Sequence, residues 1–130
     1  MKIITTRLAG VTYDDAQENI KLFGSKEIGS FALVRELDNP HDKNAIRVAI
    51  GDKKLGYIPK AVAKNLAPQI DAGKDFLALF VSRNEHPVHD IVGLTVRITE
   101  ISRNPSIQEF EGKEDRNNVK GFSEWVPDIR

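Results

Sequence analysis

The segment NAIRVAIGDKKLGYI limits the folds open to this chain more than any other. Ile46, Val48 and Ile50 alternate with small or charged residues, which is the pattern of a strand with one buried face. Gly51 and Asp52 follow as the central residues of a tight turn, and KLGYI then supplies a partner strand. The segment therefore predicts an antiparallel hairpin whose apolar face must be covered by the rest of the chain.

Four further segments have the composition of strands. They are the N-terminal residues up to Gly10, SFALVRE, DFLALFV and IVGLTVRITEI, the last two joined by SRNEHPVHD. In the last of them Leu94, Val96 and Ile98 alternate with polar residues, which predicts one buried and one exposed face. Short links between strands favour antiparallel pairing. The chain is therefore predicted to be mainly β with two short helices, of the α+β class, in a small closed or nearly closed antiparallel barrel.

Two segments have helical spacing of their apolar residues. The first is predicted to begin at a cap formed by Asp14 or Asp15 and to end at Gly24. The second is predicted to have Pro59 as its first residue, where the missing N–H costs no hydrogen bond. Pro68 is expected to kink or split this helix. Both helices are expected to cover the open ends of the barrel.

Composition excludes several classes of function. The chain of 130 residues has 19 basic and 19 acidic side chains, so a broad basic platform for nucleic acid is not expected, although a local patch is. The absence of cysteine excludes disulfides, cysteine-based zinc sites and thiol catalysis. Arg7 interrupts the N-terminal apolar residues and no apolar run is long enough to cross a membrane. A cytoplasmic protein is therefore predicted.

The sequence also lacks the usual signatures of catalysis and of bound cofactors. No glycine-rich phosphate loop and no nucleophile elbow is present. His41, His86 and His89 do not have the spacing of a zinc site, and no metal or other cofactor is predicted. A non-catalytic binding module is therefore favoured, and a small hydrolase is the least favoured hypothesis.

The motifs of one region agree in order with a known family. The loop reads R-E-x-x-N-P-x-D-x-N-A-I from Arg35 to Ile46, the hairpin returns through G-Y-I-P, and the second helix ends near D-A-G. This combination resembles the HIRAN domain, over roughly residues 1–102. The resemblance implies a small OB-like or SH3-like antiparallel barrel. It also implies binding of single-stranded DNA, with capture of the free 3′-hydroxyl end, in DNA repair or at replication forks. A separate translocase or nuclease would then be a partner.

The composition changes after Arg103. Residues 103–130 are polar and lack periodicity, so they are predicted to be a C-terminal extension of a 1–102 domain, partly ordered through Phe122 and Trp125.

The resemblance implies a set of DNA-binding residues. The residues that match the family's 3′-end pocket are Tyr13, His41, Asp42, Tyr57 and Lys60. Further phosphate contacts are expected from Arg35, Lys43 and Lys64, and a loop contact from His89. Two positions depart from the described members: His41 stands in place of a tyrosine, and Thr12 in place of an arginine.

Several residues in and around the loop also have a purely structural explanation. Asn39, Pro40 and Asn44 are favoured as turn residues, and Asp42 is balanced between ligand contact and loop capping. Arg35 is more simply explained as part of a salt bridge at a strand end. The balanced net charge and the two departures also suit an alternative, a protein-interaction module that keeps the barrel without binding DNA. A local cluster of Lys and Arg around the pocket would favour DNA over this alternative.

We expect residues 103–130 to be dispensable for folding, because the periodicity of the sequence ends before them. A chain truncated after Arg103 should keep a single cooperative thermal transition, measured by circular dichroism. Loss of that transition would place Trp125 in the core and move the domain boundary.

Overall fold

The computed structural model describes residues 3–102, which form one six-stranded antiparallel sheet and two helices. The strands are β1 (Ile4–Arg7), β2 (Ser30–Arg35), β3 (Ile46–Ile50), β4 (Lys53–Tyr57), β5 (Asp75–Glu85) and β6 (Val92–Ile101), and the helices are α1 (Ala16–Phe23) and α2 (Lys60–Asp71). The strand order is β1-β6-β5-β2-β3-β4, and the sheet curves into a half-barrel. The predicted fold class is confirmed. The predicted extension, with Phe122 and Trp125, lies outside the described residues.

The two edge strands of this sheet are joined through the segment that follows β1. Leu8 donates its N–H to the carbonyl of Leu94 on β6 (2.9 Å). The next residue, Ala9, exchanges two hydrogen bonds of 2.8 Å with Tyr57 on the opposite edge. The chain therefore crosses from one edge of the sheet to the other within two residues, which closes the half-barrel at this end.

Helix α1 satisfies the polar backbone groups that this closure leaves at the sheet edges. Its Gln17 amide accepts from the N–H of Val92 and donates to the carbonyls of Val92 and Val11, each at 2.8 Å. Asn19, a buried polar residue, donates to the carbonyl of Lys54 on β4 (2.8 Å). Because buried backbone groups need partners, these two amides allow a helix to cover the gap between β4 and β6.

The core is built from the inward faces of the strands and of the two helices. Its largest fully buried side chains are Phe31, Ile20, Ile46, Leu55, Leu94, Ile98, Val48 and Val96. The predicted alternation of Leu94, Val96 and Ile98 is therefore seen in the structure. Burial of each such side chain stabilises the fold by about 1.5–3 kcal/mol, before conformational entropy is subtracted.

Several element boundaries differ from the sequence prediction. β1 ends at Arg7, before Gly10, because the chain there turns away from β6 toward β4. β5 continues to Glu85, since the polar segment SRNE pairs with β6 residues as far as Val92, so the connection is only residues 86–91. At the start of α1, Asp15 forms no side-chain cap.

Helix α2 also differs from its prediction. It begins at Lys60, with Pro59 as the residue before it, and it is continuous through Pro68. Pro68 lies in the last turn, where its missing N–H removes a single helical hydrogen bond. The helix ends in a Schellman motif, because Gly73 donates to Ile70 (3.0 Å) and Lys74 donates to Gln69 (3.1 Å).

We expect Gly56→Ala to weaken the closure of the half-barrel. A Cβ at this position would lie 2.8 Å from the carbonyl oxygen of Ala9, so the segment that carries the Ala9–Tyr57 bridge would have to move. The free energy of unfolding should fall by about 1–3 kcal/mol, measured by urea titration, with a change in the near-UV signal of Tyr57.

Gly51→Ala is the matched control. Gly51 also has a positive φ, of 58°, but a Cβ there meets nothing within 4 Å, so this change should leave the Tyr57 signal unaltered. A Gly56→Ala protein with wild-type stability and spectrum would show that β4 and Ala9 are not held at this distance in solution.

Candidate nucleic-acid interface

The loop between β2 and β3 is held by its own side chains. Asn39 accepts the N–H groups of His41 (2.8 Å) and Asp42 (3.0 Å) on its Oδ1. Asp42 accepts the N–H of Asn44 on Oδ1 (2.9 Å), and its carbonyl accepts the N–H of Ala45 (3.0 Å). Asn and Asp side chains can take the place of backbone partners in turns. The loop therefore bends sharply without a glycine.

Arg35 fixes this loop to helix α2. Its Nε and Nη2 donate to the two carboxylate oxygens of Asp71 (2.9 and 3.1 Å), while Nη1 and Nη2 donate to the carbonyls of Ala45 (2.8 Å) and Lys43 (3.1 Å). The hydrogen bond with Asp71 raises the pKa of Arg35 and lowers that of Asp71. The guanidinium is directed at protein acceptors, which matches the salt-bridge explanation considered from the sequence.

Glu36 joins the same loop to strands β3 and β4. Its carboxylate accepts from the Tyr57 hydroxyl (3.0 and 3.1 Å), from Asn39 (2.9 Å) and from Arg47 (3.1 Å). Burial by itself would raise the pKa of Glu36, but the hydrogen bonds from Asn39 and Tyr57 and the Arg47 charge lower it. Because folding lowers this pKa, the carboxylate stabilises the fold above its unfolded pKa of about 4.3. That contribution is lost as the pH falls through the folded value.

Gly10 sets the spacing of the two tyrosines. A Cβ on Gly10 would lie 3.2 Å from Cδ2 of Tyr57 and 3.5 Å from Cδ2 of Tyr13. Gly10 also has a φ of 63°, in the left-handed region that favours glycine. Tyr57 is half-buried, and Tyr13 is 67% exposed. The ring of Tyr57 is therefore held in place by its surroundings, whereas the ring of Tyr13 is open to solvent.

These elements enclose a groove of about 660 Å³. It is lined by Ala9, Gly10, Tyr13, Asp14, Asn39, His41, Asp42, Ala45, Lys54, Tyr57, Ile58 and Lys60, which we call the β4–loop groove. All of the residues predicted for the 3′-end pocket are brought together here: Tyr13, His41, Asp42, Tyr57 and Lys60.

Lys54 also lines the groove, although it is not among the residues predicted from the sequence. Its Nζ forms an ion pair with Asp14 and lies 5.2 Å from the centroid of the Tyr57 ring. Partial burial by itself would lower the pKa of Lys54, but the hydrogen bond to Asp14 and the nearby negative charges raise it. The pairing irregularity between Val48 and Ala49 shifts the register of β4 here, and the sequence signal for it is Gly56, an isolated glycine inside a strand pattern.

The other predicted contacts do not line the groove. Arg35, Lys43 and Lys64 are not among its lining residues, although Arg35 and Lys43 adjoin the lining residues Ala45 and Asp42. His89 lies in the β5–β6 connection, where its ring centroid is 4.7 Å from that of His86. Within residues 3–102 no group of three or more His, Cys, Asp or Glu side chains is placed to hold a metal ion. No helix in the same range is long and apolar enough to cross a membrane.

Comparison with known proteins decides the family. The sequence profile of the HIRAN domain matches residues 4–100. The chain belongs to the HIRAN domain family. The resemblance read from the loop, hairpin and helix motifs is therefore confirmed. The HIRAN domain is known as a DNA-binding module.

Individual relatives agree with this family. The Fanconi-associated nuclease 1 homolog of Arabidopsis thaliana is 39% identical over 70 residues, which are 52% of this chain and 7% of that protein. The chain thus spans only a small part of this relative. The HIRAN domain of human HLTF superposes with a TM-score of 0.54 at 19% identity, covering 75% of this chain and 74% of that one. A protein from Lactobacillus plantarum gives 0.56 at 23%, covering 77% and 98%. These two structures support the fold.

We expect Glu36→Gln to lower the pKa of Tyr57. That pKa is raised by burial and by the hydrogen bond and charge of Glu36, and glutamine removes the charge. The chain has only two tyrosines, so in a Tyr13→Phe background the ultraviolet titration reports Tyr57 alone. Asp38→Asn, an exposed change in the same loop, is the control. An unchanged titration midpoint in the Glu36→Gln protein would mean that the phenol is not bonded to this carboxylate.

Proposed function

We propose that the β4–loop groove binds single-stranded DNA and receives its free 3′-hydroxyl end. The observation that carries this proposal is the position of Asp42, whose carboxylate lines a groove flanked by two tyrosines. Its Oδ1 accepts the N–H of Asn44 within the loop, and among residues 3–102 no hydrogen bond to Oδ2 is seen. An acceptor is thus held at the groove by a rigid turn.

The charge of Asp42 selects the kind of group that can approach it. A carboxylate repels phosphate oxygens and accepts only from donors. In a DNA strand the terminal 3′ hydroxyl is such a donor, whereas every internal 3′ oxygen is esterified to phosphate. Because the loop is already fixed by Asn39, little conformational entropy is lost when the strand end arrives.

The tyrosines supply surfaces for bases. Tyr13 is exposed beside Gly10, and an accessible aromatic ring can stack on any base. Such stacking contributes about 1–3 kcal/mol per base and has little sequence preference. His41 lines the same groove and offers a smaller ring. We therefore expect binding that depends more on the strand end than on its sequence.

Lys60 is the exposed cation best placed for a phosphate. It is the first residue of α2, so its ammonium and the free N–H groups of the first helical turn lie at the same end of the helix. Helix N-termini favour anions. The groove also contains Asp14 and Asp42, which offset the charges of Lys54 and Lys60. Because the charge is nearly balanced, long-range attraction of DNA is weak and short-range contacts must supply the affinity.

A protein-interaction module remains the second candidate function. Of the cations named from the sequence, Lys60 lines the groove, Arg35 is directed at Asp71, and neither Lys43 nor Lys64 lines the groove. The small number of cations in the lining favours a protein partner over an extended DNA track. In either case the domain acts by binding. We propose that it acts in DNA repair or at replication forks, together with a separate translocase or nuclease; its membership of a DNA-binding family and its similarity to a protein named as a nuclease support this proposal.

We expect Asp42→Asn to weaken binding to 3′-hydroxyl oligonucleotides by about 1.5–3 kcal/mol, the contribution of a charged hydrogen bond. Asparagine keeps an Oδ1 for the N–H of Asn44, so the turn should persist. Fluorescence anisotropy with 5′-labelled strands gives the dissociation constants, and wild-type protein should bind a 3′-phosphate strand poorly.

Asp38→Asn is the matched control, since Asp38 is an exposed carboxylate of the same loop that does not line the groove. It should leave both affinities unchanged. Equal binding of 3′-hydroxyl and 3′-phosphate strands by the wild type would remove the case for end capture. Absence of any DNA binding would favour the protein-interaction module.

A further inference from the structure

Lys54 is a cation of the groove that is held in place from several sides. Its backbone carbonyl is bonded to Asn19 of α1, and its neighbours on β4 pair with β3. Its side chain is only 18% exposed, and its Nζ lies against the Tyr57 ring and Asp14. The ammonium therefore has little freedom to leave the groove.

Asp14 is held differently. Its side chain is 73% exposed, and it lies in the turn between β1 and α1. Its φ of 55° is in the left-handed region, which non-glycine residues seldom adopt, although Asp and Asn tolerate it best. Of the two partners, Asp14 is the one that can move into solvent without disturbing a strand.

An exposed carboxylate at an anion-binding groove opposes the ligand unless it has a role in the free protein. We infer that Asp14 is the resident counter-ion of Lys54 in the free protein, and that a DNA phosphate displaces Asp14 and takes its place on Lys54. This inference rests on the proposed DNA binding and adds Lys54 as a phosphate-contacting residue and Asp14 as a competing one.

The exchange gives the groove selectivity for anions. Lys54 is partly desolvated, and a desolvated cation without a partner is costly. Asp14 removes that cost in the free state, so only a ligand that brings its own negative charge can replace it without loss. A neutral or cationic segment would leave Lys54 bound to Asp14 and would gain nothing from this residue.

The test is a double-mutant cycle on binding to a 5′-labelled oligonucleotide with a 3′ hydroxyl. Asp14→Asn should tighten binding about two- to fivefold, the range of an exposed ion pair that no longer has to be broken. Asparagine tolerates the left-handed backbone, so the turn is kept. Lys54→Gln should weaken binding, and in that background Asp14→Asn should lose most of its effect.

Asp15→Asn is the charge-matched control. Asp15 is the next residue and is also exposed, yet it does not line the groove. It changes the net charge by the same amount, so it measures the general electrostatic effect of losing one carboxylate. The specific effect is the difference in affinity between the Asp14→Asn protein and the Asp15→Asn protein.

The salt dependence of binding gives a second measurement that needs no change at Lys54. If a phosphate displaces Asp14 from Lys54, that phosphate contact is present in the complexes of both the wild type and the Asp14→Asn protein, so the slope of log K against log salt should be the same for the two. A slope steeper by about 0.7 in the Asp14→Asn protein would mean that Asp14 stays on Lys54 in the wild-type complex and would refute the exchange. The salt slope therefore tests the displacement of Asp14 even if the Lys54→Gln protein does not fold.

The outcomes separate the two proposals. If the wild type binds DNA but Asp14→Asn and Asp15→Asn have equal effects on affinity, the counter-ion role is refuted and DNA binding stands. If Asp14→Asn tightens binding by the same factor in the Lys54→Gln protein as in the wild type, the proposed coupling between Asp14 and Lys54 is also refuted. If the wild type binds no DNA, the proposed function fails and the inference fails with it.

Discussion

Two backbone hydrogen bonds between Ala9 and Tyr57 position most of what surrounds the groove. They join an edge of the sheet near the N-terminus to the edge formed by β4. As a result the turn that carries Tyr13 and Asp14 lies over β4, where Tyr57 and Lys54 are. In an open sheet of the same strand order, the turn after β1 and the residues of β4 would lie at opposite edges of the sheet. The groove is therefore a product of closure, and residues distant in sequence share it for that reason.

The polar residues of the region divide into two groups. The side chains of Arg35, Glu36 and Asn39 form hydrogen bonds with other groups of the same chain. They hold the loop and the Tyr57 hydroxyl in fixed positions. Tyr13 and Lys60 remain accessible to a ligand. The charges of this region therefore occupy two kinds of position. Arg35 and Glu36 hold the surrounding elements together, whereas Asp14, Asp42, Lys54 and Lys60 line the groove.

Much of this could be predicted from the sequence. The β3–β4 hairpin and the buried face of β6 follow from alternation, because each has one covered and one exposed side. The groove residues followed from family motifs, since turn residues at fixed spacing mark the loop. The length of β5 did not follow, because SRNE is polar on both faces. The partner of Arg35 did not follow either, since Asp71 is 36 positions away and only tertiary structure brings them together.

The position of Lys54 shows a different limit. Alternation along a strand predicts which way a side chain points only if the pairing is regular, and the shift between Val48 and Ala49 breaks that regularity. Leu55 is the extra residue, between the paired residues Lys54 and Gly56 of β4, and a bulged strand bends and re-aims its side chains. Lys54 and Tyr57, on either side of this irregularity, both line the groove.

Gln17 carries a consequence for the lifetime of the protein. Its side-chain amide forms hydrogen bonds like those of a strand backbone, because it accepts the N–H of Val92 and donates to two carbonyls. Hydrolysis of that amide, a slow chemical ageing reaction of proteins, would leave a carboxylate that can still accept but cannot donate. Negative oxygen would then face the carbonyl oxygens of Val11 and Val92. The contact between helix α1 and the sheet would lose two hydrogen bonds and gain a repulsion through the replacement of one nitrogen atom.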